Sequence, residues 1–299
     1  MTAKSNIRTF APERWPEWEK FEKLYRGTHI GFSPQDKKAV RGAGSHYSKA
    51  IRLVSLAAKL THNLITDSDE LEQKGYTSAA NAKEFAAVLE AAILEFYSAV
   101  DCTRAVLVAA LPTIKGLSAE SRKSTRRFLK WALDGKMGDD FPSSLRTVFI
   151  DASWYDELRT LRDELTHGTL GSCHRDSRSE KVSYIHGGVR HHGMPLHVPD
   201  ITDWLGELIG GVGRLMEGVF RYLNACLGST LVEVECGFFH GHYFSRMLAA
   251  EVTININSGI CHSRIMFDKE PTYRCPYADE CGAYARAGEN TPPSEAEPA

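Results

Sequence analysis

The chain has no long apolar run. Its longest hydrophobic stretch, 85–111, is interrupted by Glu90, Glu95, Asp101 and Arg104, whereas a membrane helix needs roughly 20 consecutive apolar residues. No membrane partner is therefore expected. Charge of one sign is also lacking. The chain has 36 Lys and Arg against 38 Asp and Glu, a net charge of −2. A protein that is basic throughout is excluded, and any affinity for nucleic acid must come from a local patch. The first 18 residues include Arg8, Glu13, Arg14 and Glu17 and no apolar core, unlike a secretory signal. The seven cysteines, an odd number, form no compact framework. That suits a reducing compartment, and a cytoplasmic protein is the expectation. Phosphate-binding glycine loops of both common types are missing, as are a Gly-x-Ser-x-Gly elbow and a His-Glu-x-x-His pair. The enzyme classes built on those motifs are excluded, and no cofactor is expected.

What is present is helical periodicity. The span 45–65 reads as a helix with Ile51, Val54, Leu56, Ala58 and Leu60 as apolar contacts, followed by a polar break at Asp67, Ser68 and Asp69. A second helix starts near Ser78 or Asn81 and runs to Leu111, where Pro112 ends it. Its main stripe of Phe85, Leu89, Ala92, Phe96, Val100 and Leu107 is widened by Val88, Ile93, Tyr97 and Val106. So broad a surface belongs at the centre of a bundle or partly in a dimer interface. On it, Asp101 and Arg104 are spaced for an intrahelical ion pair. A third helix, 118–133, carries Arg122, Arg126 and Lys130 four residues apart, with Lys123 and Arg127 in the next row. Stacked like charges repel, and RNA phosphate would offset that repulsion. A solvated face balanced by Asp134, Asp139 and Asp140 is the other reading.

Downstream the pattern changes. The span 171–200 reads as a loop or hairpin with a short strand at 181–186, holding His174, His186, His191, His192 and His197. Their spacing matches no standard metal motif, so surface or substrate-facing histidines are expected. A helix follows over 201–227, with Trp204, Leu205, Leu208, Val212, Leu215, Val219 and Leu223 in phase; Gly210, Gly211 and Gly213 in its middle permit close helix contact or a kink. Alternation at 231–236 and 251–257 predicts strands. Cys261, His262, Cys275 and Cys281 are candidate zinc ligands, but Cys261 and His262 are adjacent and the Cys275 to Cys281 interval exceeds a usual knuckle. No metal is assigned. With three prolines and three glutamates, 289–299 reads as disordered.

The chemistry concentrates at Arg162, Asp163 and His167. Trp154, Leu158, Leu161 and Leu165 step by four, three and four, one buried stripe of a helix. Arg162 then lies roughly 70° from the centre of that stripe and His167 roughly 150° from it round the other side, with Arg159, Asp163 and Thr166 between them on the outward face. All five are expected to face solvent or a partner. Gly168 fits the left-handed position just past a helix end, which places His167 in the last turn. Histidine exchanges a proton near neutrality, and arginine grips phosphate oxygens. Residues five apart diverge by about 140°, so one helix cannot easily aim both side chains at a single phosphate. A second copy across a two-fold axis would supply the missing geometry. The bland alternative is a solvated face whose terminal histidine caps carbonyls.

Arg162, Asp163 and, after a short spacer, His167 resemble the ribonuclease motif of the HEPN superfamily. The resemblance covers about 80–225. It implies a mainly α fold, a HEPN-like helical bundle, here with a small C-terminal α+β or β accessory region. The corresponding division is an N-terminal extension over 1–44, the helical domain over 45–227, the accessory region over 228–285 and a disordered tail over 286–299. It further implies a metal-independent endoribonuclease acting through a composite site at a homodimer interface and leaving a cyclic phosphate. Arg162 and His167 would be catalytic and Asp163 would orient a motif side chain. Arg122, Arg126, Lys130 and Arg159 would contact RNA, and an antitoxin or regulatory partner would accompany a toxin or phage-defence role. The other expectation is a non-catalytic module of the same fold that binds RNA or assembles proteins.

Overall fold

In a computed structural model of the chain, the described residues are 15–27, 30–110, 124–176, 179–191, 194–228, 231–239, 241–249, 255–265 and 274–289. Most are helical, and two three-stranded antiparallel sheets complete the fold. The mainly α class with small sheets agrees with the sequence reading. By its contacts the chain divides into two compact units, residues 32–219 and residues 1–31 with 220–299. Among the described residues, no helix is long and apolar enough to cross a membrane.

The larger unit is built on α2 (Pro34–Leu60) packed along α4 (Ala80–Ala110). The sequence placed the start of the first of these eleven residues too late. Pro34 occupies the first turn, where its missing N–H is harmless, and Ser33 and Asp36 form a reciprocal capping box. Ala43, Ala50 and Ala57, seven residues apart, are buried and allow close approach. Gly42 tightens it further, since a Cβ there would sit 2.8 Å from the Cys102 sulfur. The expected polar break is instead a single 3-10 turn, Thr61–Asn63, followed by α3 (Leu64–Lys74). Asp67, placed in that break, is a buried cap for α4: it accepts from Asn81 Nδ2 and from the Ala82 amide, both at 2.8 Å.

The basic helix begins later than expected. Ser124 is extended and its hydroxyl accepts from the Arg127 amide, so α5 spans Thr125–Leu133. Arg122 and Lys123 lie outside the described residues. A helix not foreseen, α6 (Ser143–Ile150), packs Phe149 edge-on against Phe128 at 5.4 Å. Then come α7 (Tyr155–His167), the sheet β1 (Ser172–Arg175), β2 (Val182–His191) and β3 (Met194–Val198), and α8 (Ile201–Ala225). Gly211 of α8 lies against the Trp154 indole with no room for a side chain, which is the close contact its glycines were expected to permit.

In the smaller unit, Phe21 of α1 (Glu17–Leu24) lies 5.6 Å from the rings of both Tyr25 and Phe220. A hairpin of β4 (Leu231–Phe239) and β5 (His242–Ala249) pairs with the short β6 (Ile260–Cys261), and α9 (Gly282–Glu289) follows. Strand β5 was not foreseen. Of the strand expected over 251–257, 251–254 lie outside the described residues and 255–257 form a turn. Helix α9 continues order to Glu289, inside the expected tail; 290–299 lie outside the described residues.

Candidate functional site

Helix α7 forms for local reasons. Asp156 and Glu157 in its first turn and His167 in its last complement the helix dipole, and no glycine or proline interrupts it. Tyr155, Leu158 and Leu161 are buried, each contributing about 1.5–3 kcal/mol relative to exposure. They seat the helix against α4. The end of the helix differs from expectation. Gly168 has φ −113°, not a left-handed value, and its amide donates to the Glu164 carbonyl at 2.6 Å. The Glu164 carboxylate lies against both Gly168 and Gly188, and a Cβ at either would collide with it. Close approach, rather than backbone handedness, explains glycine at 168.

The outward face of α7 is less free than its helical phase implied. The Arg162 guanidinium stacks over the Tyr97 ring, 4.4 Å from its centroid. Its Nη1 donates to one oxygen of Asp163 at 2.9 Å, and Arg159 Nη1 donates to the other, also at 2.9 Å. Asp156 approaches Arg159 Nε at 3.6 Å. Two guanidinium groups thus converge on one carboxylate, an arrangement that holds an oxyanion between two fixed cations. The expectation that all five residues face outward holds for Thr166 and His167, which are exposed. Arg159 is mostly covered, and Arg162 and Asp163 are half-buried. The Thr166 hydroxyl donates to the Arg162 carbonyl at 2.8 Å.

Helix α4 supplies the floor. Tyr97 and Tyr155 stack with centroids 6.2 Å apart, and burial pushes the Tyr155 phenol up in pKa. One turn on, Arg104 donates to Asp101 at 3.1 Å, the expected ion pair. Thr125 at the start of α5 joins it, donating its hydroxyl to Asp101 and accepting from Arg104 Nε at 3.1 Å. Arg126 and Lys130 project from the exposed side of α5.

The family-model, curated-protein and solved-structure comparisons find no match. The site's least foreseeable members were Tyr97, assigned only to an apolar stripe, and Glu90, read only as an interruption. Glu90 is buried, and one oxygen accepts from the Gly171 amide at 2.7 Å and from the Tyr184 hydroxyl at 2.9 Å, fastening the chain just beyond the motif helix. A signal was available: Glu90, Tyr97, Asp101 and Arg104 are spaced by seven, four and three, one polar line along an otherwise apolar helix.

The histidine-rich span also sorts itself. His186 is buried, against expectation. Its Nε2 donates to the Thr169 carbonyl at 2.7 Å and its Nδ1 accepts from the Gly188 and Val189 amides, shaping the irregularity where β2 shifts register. His174 and His197 are exposed, and the side chains of His191 and His192 lie outside the described residues. Among the described residues no three His, Cys, Asp or Glu side chains share a metal-binding centre. His262 turns to Glu233, its Nδ1 3.1 Å from Oε1, away from the cysteines with which it was grouped.

Proposed function

We propose that this chain is a metal-independent endoribonuclease of HEPN type, a cytoplasmic toxin or phage-defence effector that cuts RNA where the motif helices of two copies meet. The observation that carries this reading is the convergence of Arg159 and Arg162 on the two oxygens of Asp163, with His167 exposed at the end of the same helix. A phosphate presents the same kind of oxygens as that carboxylate, and displacing Asp163 would put two guanidinium groups on it.

The reaction needs a base, an acid and charge stabilisation. One His167 takes the proton of the ribose 2′-hydroxyl. The freed oxygen attacks the adjacent phosphorus, and the bond to the 5′-oxygen breaks. The partner subunit's His167 protonates that leaving oxygen, giving a cyclic phosphate and a 5′-hydroxyl end. Arg162, held flat on Tyr97, and Arg159 balance the charge that grows on the phosphate oxygens. The two-copy arrangement follows from the about 140° that separates residues five apart on a helix. Exposed Arg126 and Lys130 of α5 offer further cations for the RNA backbone. An antitoxin or regulatory partner would restrain such an enzyme.

The test is cleavage of RNA in excess EDTA by wild type, His167→Ala and Arg162→Ala. Removing the general base should lower the rate by at least about a hundredfold. Intact RNA in every lane, wild type included, would refute the nuclease. The engagement of both arginines within the chain favours a second reading, a non-catalytic RNA-binding or protein-assembly module. RNA bound but uncut by the wild-type protein would support it.

A further inference from the structure

Five of the seven cysteines lie in the smaller unit, and four of them, Cys236, Cys261, Cys275 and Cys281, surround its hairpin; none is used by the site on α7. They come from four separate segments. Cys236 lies at the bulge of β4, where the pairing skips between Glu235 and Gly237. Cys261 stands opposite Arg246 across the β5–β6 pair. Cys275 opens the turn closed by the Ala278 amide, and buried Cys281 accepts the first backbone bonds of α9 from Tyr284 and Ala285. Cys236, Cys261 and Cys275 all pack on Phe244, the one buried member of their cluster. Arg246 ties the group together, donating from Nε to the Cys236 sulfur at 3.0 Å and from Nη2 to the Cys281 sulfur at 3.5 Å.

We propose that Cys236, Cys261, Cys275 and Cys281 bind one structural zinc ion, with Arg246 as the outer hydrogen-bond donor to two of the sulfurs. The soft thiolates and the absence of histidine from the cluster suit Zn²⁺, which takes four sulfurs at about 2.3 Å in a tetrahedron. Binding releases four thiol protons to solvent and leaves a centre of net charge −2, which the adjacent guanidinium partly balances. A small β-hairpin with a short helix, centred on a single phenylalanine, is the kind of fold that needs such a staple. The Cys236 and Cys281 sulfurs turn toward Arg246, and as they stand the described side chains share no common metal-binding centre. One change of side-chain rotamer moves a cysteine sulfur by about 3 Å with the backbone in place. Of the residues grouped from sequence, His262 faces Glu233, and Cys236 packs with Cys261 and Cys275 on Phe244.

The full chain, purified in reducing buffer without chelator, should hold about one zinc per molecule by elemental analysis. After chelator treatment it should take up Zn²⁺ or Co²⁺ alone, cobalt giving the absorption of a tetrahedral thiolate site. The double variant Cys261→Ser/Cys275→Ser should lose the metal, and Cys226→Ser should keep it. Failure of the reduced wild-type protein to take up either ion overturns the proposal, whatever the fate of the variants. Full metal content in the double variant overturns it too, as does a disulfide between any two of the four cysteines in the protein as isolated.

Discussion

Replacing Asp163 by asparagine tests the convergence of arginines directly. In the native chain Asp163 competes with RNA phosphate for Arg159 and Arg162, holding each at 2.9 Å. Asp163 and Arg162 are more than a third exposed, so solvent screening limits each pair to roughly 0.2–1 kcal/mol. Two pairs give about 0.4–2 kcal/mol, which is about two- to thirtyfold in affinity. Loss of a negative charge beside the RNA acts in the same direction. The comparison is made in a His167→Ala background, so that the RNA stays intact, by fluorescence anisotropy with a short single-stranded RNA. Asp163→Asn should bind more tightly, and the gain should shrink as salt is raised. With His167 restored, cleavage should fall, because Asp163 orients the arginines. Unchanged or weaker binding by Asp163→Asn would refute the idea that this arginine pair receives phosphate.

Three further substitutions probe the surroundings. Tyr97→Leu removes the face on which Arg162 rests at 4.4 Å. The contact is worth about 0.5–2 kcal/mol, so cleavage should drop about two- to thirtyfold, while Tyr97→Phe stays near wild type; equal losses in both variants would exclude stacking as the cause. Tyr184→Phe deletes the buried hydroxyl that donates to Glu90 at 2.9 Å and should lower unfolding free energy in urea by about 1.5–3 kcal/mol, a change below about 0.5 arguing against the bond. Burial alone would raise the Glu95 carboxyl, but bonds from His46 at 2.6 Å and Lys49 at 2.5 Å hold it below its ordinary value of 4.5. Its folded pKa being depressed, the stability it adds is present above about pH 4.5 and is lost as pH falls through the folded value. The stability gap between wild type and Glu95→Gln, followed by urea titration at several pH values, should therefore close on acidification, and a gap constant with pH contradicts the pairing.

Much of the fold was legible because its determinants are local. Apolar positions recurring every three or four residues located α4, α7 and α8, while Pro112, expected to end α4, lies outside the described residues. Boundaries failed where capping overrode composition. Ser33, Pro34 and Asp36 started α2 early, and Ser124 started α5 late. Asp67, polar enough to suggest a break, was needed as a buried acceptor for the amides of α4.

By itself the sequence determined the helical class, the burial of Leu158 and Leu161 on α7 and the exposure of His167 at its end, all consequences of a 3.6-residue repeat acting within one segment; Trp154 and Leu165, expected on the same stripe, are only partly covered, and Tyr155 is buried instead. It also placed Arg162, Asp163 and His167 together on that helix. Only the tertiary structure decided that Arg162 lies on Tyr97, sixty-five residues earlier in the chain, and that Glu90 clasps Gly171 and Tyr184. The same holds for the packing of Cys236 with Cys261 and Cys275 on Phe244 and the turn of His262 to Glu233. Those contacts depend on how helices cross and strands pair, and burial chooses the partners of polar groups after the segments have met. Periodicity reports which face of a segment is covered but carries no information about which side chain covers it.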